Sequence, residues 1–173
     1  MNKTKDTMAE PRIEKITVNI GVGEGGEKLQ KAENVLESLT GQKPVRTISK
    51  TISKDWDLRK KMPIGCKVTL RGKVAEDFLI KALETRDNKV AAYSFDDQGN
   101  LSFGIPDHTL FKDQRYNPEI GIFGMDVCIT IEKPGYRVKR RNVNRSKIPA
   151  RHQVNWEESI SFLSAKYKVA VIE

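Results

Sequence analysis

Apolar and polar side chains alternate along several stretches of this chain, and helical spacing of apolar residues fills the gaps between them. Ile16, Val18, Ile20 and Val22 alternate with Lys15, Thr17, Asn19 and Gly21, which predicts a strand with one apolar and one polar face. A glycine-rich turn follows. Leu29, Ala32, Leu36 and Leu39 then recur at helical spacing, predicting a helix from Glu27 to Thr40 with Gly41 as its stop. Two further strands are expected near Pro44 to Ser49 and Ile64 to Arg71, the second with Ile64, Cys66, Val68 and Leu70 on one side and Lys67, Thr69 and Arg71 on the other. Val74 to Arg86 reads as a second helix with Phe78, Leu79, Ala82 and Leu83 as its buried stripe.

Beyond it, SFDDQGNLSFGI predicts two short strands around a turn at Asp97 to Asn100. Residues 106 to 122 show no clean period and are expected to form an ordered loop. Met125, Val127, Ile129 and Ile131 form another alternating strand opposite Asp126, Cys128 and Thr130, and a last helix starts at Asn155, with Glu158 placed for a capping box. Strands apolar on one side, with helices of matching stripe, predict a two-layer α+β fold. In it a mainly antiparallel sheet carries helices on one face and leaves a polar, hydrogen-bonding face available.

At 173 residues the chain suits one domain, residues 1–173, with a basic loop at 50–62 and a basic arm at 133–151. The longest apolar run is too short to span a membrane, and the start MNKTKDTMAEPR has no apolar centre of a signal peptide. Cys66 and Cys128 fit small buried thiols in a reducing compartment; a disulfide between them is the other arrangement.

Charge changes the picture more than composition does. From Lys43 to Lys73 there are ten Lys/Arg and two acids, and from Lys133 to Arg151 eight and none, so these windows carry +16 and the rest of the chain −8. Segregation of this kind favours a polyanion, because each neutralised phosphate releases condensed counterions. The expected partner class is nucleic acid. Within the loop, Lys54, Arg59, Lys60 and Lys61 surround Trp56, which either stacks on a base or ribose or folds back on the core. The arm carries Arg137, Lys139, Arg140, Arg141 and Arg145 without apolar period, so it is expected to order only against an anion. Tyr136 either stacks there or covers the edge of the core.

Gly21, Gly23 and Gly26 match a G-x-G-x-x-G loop after a strand and before a helix. Glu24 would put a carboxylate against a pyrophosphate, and no acidic residue stands near Thr47 to meet a ribose. The glycines are therefore read as devices of a tight turn, with no cofactor. His108 and His152 are isolated, neither cysteine has a partner at ligand spacing, and no nucleophile has a recognisable motif. Each histidine is read as a surface or RNA-facing residue, no metal is expected, and an enzyme is the runner-up class. A module binding DNA or an acidic protein is the third.

PRIEKITVNIGVGE, SLTGQKPV, PIGCKVTLRG and the SFD…GN turn, in this order and spacing, resemble the large-subunit ribosomal protein five family, which binds 5S ribosomal RNA. The resemblance covers about Pro11 to Ile131, and the arm and last helix resemble archaeal and eukaryotic members more than bacterial ones. It implies a non-enzymatic, cytoplasmic, ribosome-bound component of the central protuberance. Such a component attaches 5S rRNA to the large subunit, and its other partners are large-subunit rRNA, neighbouring ribosomal proteins, P-site tRNA and a small-subunit head protein across an intersubunit bridge. Neither membrane nor DNA is implied. The family's RNA-recognising side chains map onto Asn19, Gln42 and Thr69, with Thr17 on the same polar face and Lys15, Lys67 and Arg71 supplying charge. By position, the loop matches the family's tRNA-proximal loop, and the basic arm is expected to face rRNA.

Overall fold

The computed structural model describes residues 8 to 172, so most of the amino-terminal segment considered above as a leader lies outside the described residues. The elements in chain order are β1 (Arg12–Gly21), α1 (Glu27–Thr40), β2 (Val45–Ile48), β3 (Pro63–Leu70), α2 (Gly72–Glu84), β4 (Lys89–Ala91), β5 (Leu101–Ile105), β6 (Met125–Glu132), α3 (Arg137–Arg140), α4 (Trp156–Tyr167) and β7 (Ala170–Ile172). Five strands form one antiparallel sheet in the order β2-β3-β1-β6-β5.

The period-two pattern sets the layers. Ile16, Val18 and Ile20 of β1, Cys66, Val68 and Leu70 of β3, and Val127, Ile129 and Ile131 of β6 all point to the same side and are buried. That side meets Leu29, Ala32 and Leu36 of α1 and Ala75, Phe78, Leu79 and Ala82 of α2 in one continuous core. Helix α1 lies over β3 and α2 over β1. Truncating any of the fully buried leucines would cost about 2 to 5 kcal/mol, since the cavity collapses only in part. Gly41 ends α1 in the left-handed region at φ 65°. Its N–H donates to Glu37 O at 2.8 Å, which satisfies an orphan carbonyl of the last turn.

Several expectations change. Around Asp97 to Asn100 there is one strand, not two: β5 follows the turn, while the preceding segment is a 3-10 turn at Ala92–Ser94 and a single bridge from Phe95 to Leu101. Asp96 accounts for this, because its carboxylate takes the N–H of Gln98 and Asn100 and the Asn100 amide, closing a tight loop. A short parallel pair, β4 with β7, joins the chain after α2 to the chain after α4. Three-residue strands leave no readable period. The expected capping box at α4 does not form: Asn155 makes no side-chain cap bond. Glu158 instead pairs at 2.7 Å with Lys133, whose side chain is only 7% exposed and needs that partner.

The loop at 106–122 is ordered, as expected. Asp107 caps a short turn at His108–Leu110 through Thr109 N–H. His108 is buried rather than on the surface, its Nδ1 accepting from Phe123 N–H at 3.3 Å. Of the cysteines, Cys66 is buried in the core and Cys128 is exposed on the opposite face; both are free thiols. Burial pushes the Cys66 thiol up to about 11.

The arm is ordered without a foreign anion. Arg140 donates to Glu14 and Glu132, Tyr136 accepts Val154 N–H at 3.1 Å, and His152 Nε2 lies 2.8 Å from Pro134 O. The anions that order it are carboxylates of the protein itself. Tyr136 is thereby tied through its hydroxyl to the segment that leads into α4.

Candidate nucleic-acid interface

Strand register builds the polar face residue by residue. Lys67 of β3 lies opposite Asn19 of β1, and Asn19 opposite Asp126 of β6; one step along, Thr69 faces Thr17, Thr17 faces Cys128, and Cys128 faces Ser102. Directly opposed side chains on one face stand about 5 Å apart, so these rows form a continuous surface of amide, hydroxyl, carboxylate and ammonium groups. Lys15 extends it opposite Thr130. Lys67, Thr69, Asp126, Cys128 and Ser102 are exposed, and Lys15, Thr17 and Asn19 half-buried. None of the three on β1, nor Lys67 or Thr69, spends its side chain on a hydrogen bond or ion pair among the described residues.

The two remaining expected residues sit at the margins. Gln42 is exposed in the connection between α1 and β2, where its N–H is received by Thr40 Oγ1 at 3.3 Å and its side chain is free of partners among the described residues. Arg71 follows β3 directly and donates to Glu14. A β-bulge explains that contact: the register of β1 with β6 shifts between Ile13 and Lys15, which inserts Glu14 as an extra residue. Its carboxylate then receives Arg71 from one side and Arg140 from the other. Partial burial alone would raise the Glu14 carboxyl, but the hydrogen bonds and charges of the two guanidiniums outweigh it and hold the group below the ordinary carboxylate range.

Residues 50–62 extend the β2-β3 hairpin. Ser53 and Leu58 exchange backbone hydrogen bonds at 3.1 and 2.8 Å, and Ser49 N–H donates to Met62 O at 2.8 Å. Asp57 and Lys61 adopt positive φ to close the turn. Trp56 is 76% exposed at the tip, so it does not fold back on the core. Lys54, Arg59, Lys60 and Lys61 are exposed around it.

The arm divides its cations. Arg140 is committed to Glu14 and Glu132, and Arg141 Nε donates to Asn144 O at 2.8 Å. Arg137, Lys139 and Arg145 are at least partly exposed, without side-chain partners among the described residues. Loop and arm also lie at opposite ends of the sheet. The loop leaves from the start of β3, beside Gly21 at the end of β1, whereas Arg140 sits where β1 starts and β6 ends. The ten residues of β1 separate these ends by about 30 Å.

The glycine turn is occupied by the protein's own backbone: Val22 and Gly23 N–H both donate to Ile64 O, at 3.0 and 2.8 Å. Gly23 and Gly26 have φ 80° and 95°, conformations that favour glycine. Among the described residues no helix is long and apolar enough to cross a membrane, and no group of three or more His, Cys, Asp or Glu could hold a metal. Sequence reasoning did not foresee Glu14 or Asp126 as parts of the site. The first needed the bulge, and the second was read only as the polar side of a strand.

Two family models match the chain: ribosomal protein L5 over residues 6–59, and the C-terminus of the same ribosomal protein family over residues 63–162. Among similar proteins, the large ribosomal subunit protein uL5 of Methanococcus aeolicus is 52% identical over 170 residues, covering 96% of this chain and 94% of its own. That of Sulfurisphaera tokodaii is 52% identical over 172 residues, covering 99% and 97%.

Proposed function

Because this chain belongs to the ribosomal protein L5 family, we propose that its uncovered sheet face binds 5S rRNA and attaches it to the large subunit. The coarser role is plain from the family: it is a structural, non-enzymatic protein of the large ribosomal subunit, located in the cytoplasm with the ribosome, and its partners are rRNA and ribosomal proteins. The observation that carries the finer reading is the pair of cross-strand rows through Asn19 and Thr17. Neutral groups there donate and accept, which suits 2′-hydroxyls, base edges and phosphate oxygens of a folded RNA. Lys15 and Lys67 add charge within the face, and Arg71 and Gln42 add reach at its margins. Asp126, beside Asn19, suits a base amino group and repels a phosphate.

In this reading residues 1–173 act as one RNA-binding unit with two basic extensions. The exposed loop tip with Lys54, Trp56, Arg59, Lys60 and Lys61 approaches P-site tRNA, and the free cations of the arm, Arg137, Lys139 and Arg145, face large-subunit rRNA. Contact with neighbouring proteins of the central protuberance and a bridge to a small-subunit head protein complete the role. The separation of loop and arm along the sheet favours different partners for each. The test is binding of the purified chain to isolated 5S rRNA, to an unrelated structured RNA and to duplex DNA at one salt concentration. A clear preference for 5S rRNA is expected, and equal affinity for all three would reduce the chain to a general polyanion binder.

A further inference from the structure

We propose that a cavity between the polar face and the basic arm receives one unstacked nucleotide of the bound RNA, an inference that rests on the RNA-binding reading above. The cavity measures about 620 Å³, within the range of roughly 300 to 1,000 Å³ typical of small-ligand sites. Four parts of the chain wall it: Thr130 of β6, Gln98 of the turn before β5, the arm with Tyr136, Lys139, Arg145 and Lys147, and Val154 in the segment between the arm and α4.

Charge, polarity and shape agree on the occupant. Lys139, Arg145 and Lys147 are exposed, with no carboxylate partner among the described residues, while Glu132 in the same wall is taken by Arg140. The rim is therefore positive and suits a phosphate. Inside, the Gln98 amide and Thr130 hydroxyl have no hydrogen-bond partner among the described residues, leaving donors and acceptors for a base edge or a 2′-hydroxyl. The Tyr136 hydroxyl accepts Val154 N–H at 3.1 Å and donates to His152 O at 3.4 Å. With the ring so held, its face is a fixed surface on which a base can stack. Buried Ile131 and Val154 supply an apolar floor.

A free anion would use the rim and nothing else, and an acidic peptide would leave the ring and the apolar floor without a role. Thr130 stands opposite Lys15 in register, so the cavity borders the face that carries Thr17 and Asn19. An RNA lying on that face reaches it by turning out a single nucleotide.

The test titrates the full chain with the four ribonucleoside 5′-monophosphates, followed by NMR shifts at Gln98, Thr130 and Tyr136. Ribose 5-phosphate, inorganic phosphate and a hexaglutamate peptide serve as comparison probes. At least one nucleotide should saturate at these residues and bind tenfold or more tighter than ribose 5-phosphate. The double variant Gln98→Ala, Thr130→Val should lower that affinity fivefold or more and leave phosphate binding unchanged. Equal affinity for nucleotide and phosphate, tighter binding of the peptide, or shifts centred elsewhere would each overturn the proposal. No 5S rRNA enters this titration, so nucleotide capture by a chain indifferent to 5S rRNA would refute the proposed function and uphold the cavity. A chain that prefers 5S rRNA but ignores nucleotides would do the reverse.

Discussion

Arg140 donates to Glu14 at 2.7 Å across 126 positions of sequence, and this contact fixes the basic arm against the sheet. Arg71 donates to the same carboxylate, so one bulged residue organises two cations that a count of charges would assign to RNA. An RNA phosphate that recruits Arg71 or Arg140 must compete with Glu14. The arm is thus presented in a set direction before any RNA arrives, which lowers the ordering cost of binding.

Acid should release that contact. A carboxyl held below its unfolded value of about 4.3 stabilises fully above that value, and the stabilisation fades as pH falls through the lower folded value. For Glu14 the direction is downward, so the guanidinium resonances of Arg140 should be constant from neutral pH down to the ordinary carboxylate range and shift toward free arginine only as pH falls below that range. In Glu14→Gln the Arg140 resonances should already be moved part of the way toward free arginine at neutral pH, with Glu132 still holding the other nitrogen. A wild-type-like Arg140 spectrum in that variant would show that Glu14 does not hold the arm.

Asn19→Ala or Thr69→Ala should weaken 5S rRNA binding by about 1 to 3 kcal/mol, because RNA groups buried against the sheet lose their partners. Both side chains lie on the face away from the core, so thermal unfolding should change little. Wild-type affinity in a well-folded double variant would remove the sheet face from consideration.

The two thiols offer a footprint of the same surface. Cys66 lies in the core with its thiol pushed up to about 11, and Cys128 is exposed next to Thr17, also raised by its partial burial. The thiolate is the reactive form, so alkylation at mildly alkaline pH should be slow at Cys128 and negligible at Cys66 until the protein unfolds. Bound 5S rRNA should protect Cys128. Unchanged labelling in a saturated complex would place the RNA elsewhere.

Gly99 carries a structural requirement that the sequence only hinted at. Its φ is +73°, and an added Cβ would overlap the Ser159 hydroxyl and lie 2.9 Å from Val154 Cγ1. That hydroxyl donates to Gly99 O at 2.7 Å and ties α4 to the turn before β5. Gly99→Ala should cost about 2 to 4 kcal/mol, combining backbone strain and overpacking, measured by denaturant unfolding. A loss under about 0.5 kcal/mol, the scale of a neutral surface change, would mean that the turn relaxes freely.

Periodicity reached the elements whose burial is one-sided and long. β1, β3, β6, α1 and α2 were legible because eight or more residues repeat one pattern against one core. The β4-β7 pair was not, since its three-residue strands lie far apart in the chain and are held by Ala170 N–H on Asn88 O. The same limit applies to the site. Lys15, Thr17, Asn19, Lys67 and Thr69 came together because strand register is implied by alternation. Arg71 and Arg140 were read as cations directed at RNA because charge counting is blind to a bulge that brings Glu14 between them. The Glu158 capping motif failed for a related reason: Lys133, buried just beyond the end of β6, has the stronger claim on that carboxylate.

The sheet and the loop should serve different RNAs. Arg59, Lys60 and Lys61 flank an exposed hairpin tip at the end of the sheet remote from the arm, whereas Asn19 and Thr69 sit within the register of the sheet. Exposed cations on such an extension give screened, salt-dependent attraction to whichever phosphates they reach. The sheet instead gives fixed hydrogen bonds whose loss leaves RNA groups unpaired. Replacing Arg59, Lys60 and Lys61 together by Ala should therefore leave binding of isolated 5S rRNA largely intact and speed dissociation of P-site tRNA from assembled ribosomes. The 5S rRNA affinity and the tRNA dissociation rate are measured on the same variant. If 5S affinity falls as far as it does in Asn19→Ala while tRNA is retained normally, the loop is part of the 5S site, and the exposed hairpin and the sheet face serve one RNA.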